Sequence, residues 1–409
     1  MNEAYHASLK VITTLESHGY QAYWVGGCVR DRLLGKEPVD YDVTTDAHPE
    51  TVQRLFSKTV PTGLQHGTVA VIQDGQMTEV TTFRQETGFT DHRRPRQVTF
   101  VKDLSADLSR RDFTINAMAQ DRYGNLYDPF KGAEDLKRKV IRAVGKADMR
   151  FQEDALRMVR ALRFMAQLSF QLDAETEEAL LRQKKLMRYL AVERVTMEFH
   201  KLWKTRQPSQ ALELLWRKDL FSDLPPFHRW NPSTLDPSSF TRLDDIKDPQ
   251  ICWALLLYLY GARGPDITDR LHSLRLSSKE VAFIRKIYQL ALGWHLTESD
   301  EKDGKRLLLS EGLDVLSKSL ITASRMYGWE KGNVQTLQQA LKRWYREMPV
   351  HGPEDLQLNG QILLESVGRK PGPWIGQVIQ VLLEKVALGE ISNQRELLIQ
   401  EGCRLVQDS

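Results

Sequence analysis

Residues 23–46 read YWVGGCVRDRLLGKEPVDYDVTTD, and the rest of the chain is organised around them. The stretch runs from apolar residues into Gly26-Gly27, continues through Arg30 and closes on Asp40-Tyr41-Asp42. In a strand, side chains alternate faces, which puts Asp40 and Asp42 on one side and Tyr41 on the other. Two adjacent carboxylates repel, and each then favours its protonated form. A divalent cation relieves that conflict, and hard oxygen ligands suit Mg²⁺, which also favours substrate phosphates. The glycine pair precedes a helix-like segment, 29–34, so its backbone N–H groups can approach a phosphate chain. A lone D-x-D is more often a solvated turn, and a lone Gly-Gly says less still. The order of glycine pair, arginine, short helix, loop and paired aspartates reads as a metal-dependent nucleotidyl-transfer site.

At 409 residues the chain exceeds one compact core, and two or more domains are expected. Lys+Arg 57 against Asp+Glu 54 leaves a net charge of +3, so any nucleic-acid surface must come from local clustering. Cys28, Cys252 and Cys403 lie far apart without a C-x-x-C pair, which argues against a disulfide framework or structural zinc. Glu3, Lys10 and Glu16 interrupt any N-terminal apolar run, and 251–260 is too short to span a bilayer and reads as a buried helix. These features predict a soluble, cytoplasmic protein with no membrane partner.

Helical spacing covers 4–18, ended by Gly19, and 46–56, with Asp46 as N-cap and Pro49 in the first turn. Residues 68–73 and 77–84 read as strands joined by Asp74-Gly75. A polar, arginine-rich loop is expected at 85–98, then a segment at 108–120 and a strand-turn-strand at 121–128. From about 146 onward helices are predicted without strands, at 148–170, 174–183, 193–204 and 209–220. An irregular connector at 223–249 follows, and helices then resume with breaks at 261–265, 299–304, 351–353 and 370–373. The expected class is α+β: a mixed head followed by an all-helical remainder.

Several side chains bear chemistry. Glu79 lies in a predicted strand opposite Val80; it reads equally as a half-exposed surface residue or as a third carboxylate that positions or deprotonates a hydroxyl. Arg110-Arg111-Asp112 opens a predicted helix, where positive charge is misplaced unless an anion is present. A triphosphate supplies that anion, with Arg111 as donor and Asn116 able to bond a ribose hydroxyl. In 151–167, Asp154, Arg157, Arg160 and Arg163 recur every three residues on one helical face. A salt-bridge ladder is the default reading, but three arginines share one aspartate there, and the surplus suggests an anionic ligand. A carboxylate beside a guanidinium also matches the pairing edge of cytosine or adenine, and rejects the reversed order on uracil and guanine.

GGCVRD at Gly26, VDYDVTTD around the aspartates, RRDFTINAMA from Arg110 and EDALRMVRALRF from Glu153 together resemble the bacterial class II tRNA nucleotidyltransferases. The likeness is strongest to the CCA-adding type of bacilli. ERVTMEFHKLW from Glu193 and GRKPGPWIGQVI from Gly368 extend the resemblance over essentially the whole chain. It implies a polymerase-β-like head at 1–145, a neck at 146–222, a body at 223–345 and a tail at 346–409 that binds tRNA. It further implies Mg²⁺ held by Asp40 and Asp42, and nucleotide contacts from Gly27, Arg30 and Arg111. A protein template for the base would be made by Glu153, Asp154 and Arg157, with Arg160 and Arg163 alongside. The substrates implied are ATP, CTP and the tRNA 3′ end, and the family admits a homodimer.

Members that add only C lack or shorten the loop at 86–96; here it keeps DHRRP, which disfavours that reading. A-only addition and poly(A) synthesis stay open. Val39-Asp40-Tyr41-Asp42 stands where a glycine and a small aliphatic are more usual, but both carboxylates remain. A non-catalytic RNA-binding descendant predicts loss of an aspartate or of RRD, and both are intact. Basic clusters at Arg182, Lys184, Lys185 and Arg188, and at Lys342, Arg343 and Arg346 with Trp344 and Tyr345 interleaved, suit either phosphate contact or a solvated face.

Overall fold

The computed structural model describes residues 2–90, 94–230 and 235–407. It divides in the chain near Asp245 into two compact units. The first begins with α1 (Glu3–Ser17), β1 (Ala22–Val25), α2 (Gly27–Leu33), β2 (Val43–Thr45) and α3 (Pro49–Leu55). Strands β3 (Thr59–Gly63), β4 (Thr68–Gln73) and β5 (Gln76–Thr82) follow, then a separate ribbon, β6 (Arg84–Thr90) with β7 (Arg94–Phe100). Next come α4 (Leu104–Ser109), β8 (Ala119–Gln120), β9 (Leu126–Tyr127), α5 (Gly132–Arg138) and β10 (Val140–Ile141). Helices α6 (Ala147–Glu153) and α7 (Leu156–Leu168), the short β11 (Gln171–Leu172), α8 (Ala174–Gln183), α9 (Val192–Trp203) and α10 (Ser209–Arg217) complete its regular elements.

A seven-stranded sheet, ordered β3-β4-β5-β2-β1-β8-β9, is the frame of this unit. Among the described residues only β2 and β5 run parallel within it, in the register Val43–Val80, Thr44–Thr81 and Thr45–Thr82. One core gathers Trp24, Val43, Val69, Val80 and the apolar stripe Val11, Ile12 and Leu15 of α1, and reaches Ala161 and Phe164 of α7. A smaller core of Val25, Phe83, Leu104, Leu108 and Ala119 packs with Tyr23. At the β4–β5 hairpin Asp74 and Gly75 both take positive φ (52° and 77°), the geometry a two-residue turn requires.

Several expectations are corrected. Asp40 and Asp42 precede β2 rather than lying in it, although the alternation survives: Tyr41 is buried between two exposed aspartates. His48 rather than Asp46 caps α3, and Asp46 instead accepts from the Gln21 N–H at 2.8 Å. The expected loop at 85–98 is mostly the β6–β7 ribbon, with 91–93, the DHR of DHRRP, outside the described residues. Its sequence carries no apolar alternation to reveal it. A short strand does occur beyond residue 146: β11 pairs in parallel with β10. The helix expected over 148–170 is two helices, broken at Asp154, whose backbone is extended (φ −143°, ψ 103°). RRD opens no helix either. Arg110 caps the C-terminal end of α4, where the helix dipole favours positive charge, so the sequence argument for an anion lapses there.

The second unit is helical: α11 (Pro249–Leu259), α12 (Asp266–Ser273), α13 (Ser278–Leu292), α14 (Glu301–Glu311) and α15 (Leu313–Tyr327) come first. After them come α16 (Lys331–Glu347), α17 (Gly360–Val367), α18 (Trp374–Ala387) and α19 (Arg395–Gln407). Residues 251–257 are all buried, as their apolar run predicts. Trp344 is fully buried in a core with Leu316, Leu341, Leu382 and Leu398, which removes it from the basic cluster read on α16. Glu301 already starts α14, so the break expected at 299–304 is shorter, while breaks at Gly312 and Gly328 went unpredicted. Among the described residues no helix is long and apolar enough to cross a membrane.

Candidate active site

The strand β2 delivers the aspartates, and its parallel register with β5, extended back by one residue, sets Asp42 beside Glu79. Asp40, Asp42 and Glu79 are all exposed side chains. Protein nevertheless crowds the Asp42 carboxyl. Burial first, then the negative charges of Asp40 and Glu79, push it up to about 6, with Arg111 opposing. Charge repulsion of this kind is what a bound cation removes. Among the described residues no three carboxylate, imidazole or thiol groups form a ready cage. Paired carboxylates are hard oxygen donors, the kind that suits a divalent ion whose other ligands are water and phosphate oxygens.

Beside the aspartates, Gly26 (φ 76°, ψ −125°) makes the turn into α2, a conformation that residues with a Cβ adopt only under strain. A Cβ there would also lie 3.1 Å from Arg111 Nη1. Arg111 reaches Asp107 at only 3.4 Å, and its Nε is buried without a hydrogen-bond partner among the described residues. A buried guanidinium nitrogen left unpaired is costly, and it is the better reason for an anion here. Gly27 is the first residue of α2, and the Arg30 guanidinium lies against it, 3.7 Å from where its Cβ would stand.

Arg30 is buried and donates through Nη1 to Asn116 Oδ1 at 2.7 Å. Asn116 Nδ2 donates to Asp112 Oδ1 at 3.2 Å, so both ends of the amide are engaged. Arg160 closes the chain with Nε and Nη2 on Asp112 Oδ2 at 2.8 and 2.6 Å. Burial alone would raise Asp112; the Arg160 guanidinium and these hydrogen bonds override it and hold the carboxyl at about 2.

The arginine stripe of α7 is less free than its spacing suggests. Arg157, 9% exposed, donates to Glu153 Oε2 at 2.7 Å and to the backbone oxygens of Arg150 and Arg110. Arg163 donates to the buried Glu198 at 2.6 Å, and Arg160 lies 3.7 Å from the same carboxylate. The surplus charge expected there is thus largely matched by carboxylates from distant elements. Asp154 does not pair with Arg157. Its two oxygens accept from Arg194 of α9, at 3.0 Å to Nη1 and 2.7 Å to Nη2.

The structure therefore groups Asp40, Asp42, Glu79 and Arg111 around the Gly26 turn, and joins Arg30, Asn116, Asp112 and Arg160 in one chain of hydrogen bonds. Glu153 and Arg157 form a separate pair. Sequence reasoning missed Arg194 and Glu198, although they sit one helical turn apart within ERVTMEFHKLW. Their i, i+4 spacing marks a charged helical face but says nothing of the distant partners. The clip between Glu86 and Arg110, 3.4 Å apart, was also missed.

Comparison with known proteins finds relatives over nearly the whole chain. The family model described as the poly A polymerase head domain matches residues 22–142. That of tRNA nucleotidyltransferase domain 2 matches 245–401. A CCA-adding enzyme of Anoxybacillus flavithermus is 39% identical over 400 residues, covering 97% of this chain and 96% of the relative. One of Bacillus subtilis is 37% identical over 399 residues, covering 97% of each. The Bacillus stearothermophilus CCA-adding enzyme, solved in complex with CTP, superposes with a TM-score of 0.83 at 34% identity, covering 100% of this chain and 99% of that one. The chain belongs to the family of CCA-adding enzymes, nucleotidyltransferases with a poly(A) polymerase-type head.

Proposed function

We propose that this protein adds C, C and A in turn to the 3′ end of tRNA from CTP and ATP, releasing pyrophosphate, without a nucleic-acid template. The observation that carries the site assignment is Arg111: a buried Nε without a hydrogen-bond partner among the described residues, against the Gly26 turn and beside the raised Asp42. One place thus favours an anion and a cation together, which is what a metal-bound nucleoside triphosphate brings. Asp40 and Asp42 are assigned to hold Mg²⁺. The ion supplies Lewis-acid stabilisation of the charge that develops at the α-phosphate.

Gly27, Arg30 and Arg111 are assigned to the triphosphate, and Asn116 to the ribose side. The 3′-hydroxyl oxygen of tRNA forms a bond to the α-phosphorus while the bond to the β-phosphate oxygen breaks. We assign the hydroxyl proton to Glu79. For base choice, Asp154 accepts from the amino group of C or A and Arg157 donates to the ring nitrogen. Among the described residues, three of the five N–H groups of Arg157 have partners, so two stay available. Glu153 holds Arg157, and Arg160 and Arg163 back the same face. The domain division at 145, 222 and 345, tRNA binding by the later helices and a cytoplasmic location belong to the same proposal.

Single-turnover addition of CTP to a tRNA transcript, with Mg²⁺ titrated, tests these roles. Asp40→Asn and Asp42→Asn should each slow the step by about a thousandfold or more, and Glu79→Gln by about a hundredfold. A rate within tenfold of the unaltered enzyme in either asparagine variant removes the metal-holding role from that residue.

A further inference from the structure

Asp154 lies in the break between α6 and α7, so no helical backbone dictates where its side chain points. Three hydrogen bonds do so instead. The Leu156 N–H donates to Oδ1 at 3.1 Å, and Arg194 donates through Nη1 to Oδ1 at 3.0 Å and through Nη2 to Oδ2 at 2.7 Å. A planar guanidinium engaging both oxygens fixes the plane of the carboxylate as a single donor cannot. Arg194 stands on a helix that is itself tied down. One turn further along α9, the 3%-exposed Glu198 grips Arg163 of α7 at 2.6 Å, which ties the two helices together.

We propose that Arg194 is a positioning residue that sets base choice through Asp154. The inference rests on the reading that Asp154 accepts the amino group of the incoming base. Oδ1 already accepts two hydrogen bonds and Oδ2 one, so Oδ2 is the oxygen open to a base amino group. A guanidinium can only donate, so it holds the carboxylate without competing for the amino donor. Without it only the Leu156 N–H still holds Oδ1, the plane of the carboxylate is no longer fixed, and the acceptor that distinguishes C and A from U and G loses its place.

The test compares Arg194→Ala, Arg194→Lys, Asp154→Ala and the double alanine variant. Each is assayed for kcat and KM with CTP, ATP, UTP and GTP on transcripts ending before the CCA and at CC. In Arg194→Ala the preference for CTP over UTP, and for ATP over GTP, should fall about tenfold or more. That loss should come mainly from a higher KM for the correct nucleotides, at an unchanged melting temperature. Arg194→Lys should recover part of the preference, and the double variant should match Asp154→Ala within about twofold, because one residue acts through the other. Unchanged discrimination in Arg194→Ala, or equal losses on all four nucleotides, overturns the inference. If Asp154→Ala relaxes base choice and Arg194→Ala does not, only the role of Arg194 falls. If Asp154→Ala leaves base choice intact, the base-reading assignment falls and this inference with it.

Discussion

Asp112 shows how a single buried charge couples the site to stability. Its folded value of about 2 lies below the ordinary carboxylate value of 3.8. A depressed acid stabilises the fold above its unfolded pKa and loses that contribution as pH falls through the folded one. The window is therefore about pH 4 down to 2, and the shift corresponds to about 2 kcal/mol. Asp112→Asn should flatten the acid limb of urea-unfolding stability across that window; parallel limbs for the two proteins would refute it. At this scale the sequence was most legible where the charged residues themselves cluster in the chain. Asp40, Asp42 and RRD stand out as local clusters, although the partner of Asp112, Arg160, lies 48 residues further on. Arg194 and Glu198 did not, because their partners Asp154 and Arg163 lie 40 and 35 residues away. Spacing along one helix cannot report a carboxylate that arrives from another.

The turn from β1 into α2 is the element most exposed to a small change. Gly26→Ala must adopt a positive φ and displace the Arg111 guanidinium, which lies 3.1 Å from the new methyl. We expect a loss of about 1–2 kcal/mol in stability and a rise in KM for both CTP and ATP, read by thermal melting and steady-state kinetics. A wild-type KM would show that Arg111 does not meet the nucleotide. The glycine pair was legible because only backbone freedom explains it. The break between α6 and α7 was not, since neither Gly nor Pro marks it and the apolar period continues from Phe151 through Leu156 to Leu162. The β6–β7 ribbon stayed hidden for a related reason: it forms a sheet apart from the main one, and the covered residues at alternate positions of β6, Arg84 and Glu86, are charged and leave no apolar period.

For the molecule as a whole, composition and periodicity foresaw a mixed head followed by helices, because burial of one face leaves that mark on any sequence. The second unit depends on close approach rather than pattern. Gly304 packs on the Trp344 ring, and a Cβ there would stand 2.3 Å from it. Gly304→Ala should destabilise that unit by about 1–3 kcal/mol, lowering one calorimetric transition while that of the first unit stays put. A shift of both transitions together would contradict independent cores.

The activity itself is tested most directly on tRNA transcripts ending at the discriminator base, at C and at CC. Each is incubated with Mg²⁺ and CTP, ATP, UTP or GTP, singly and combined, and the added nucleotides are sequenced. Completion to CCA on all three substrates, with UTP and GTP refused, is the expected result. Addition of A alone to the CC-ending transcript, a long A tail, or no incorporation would contradict it.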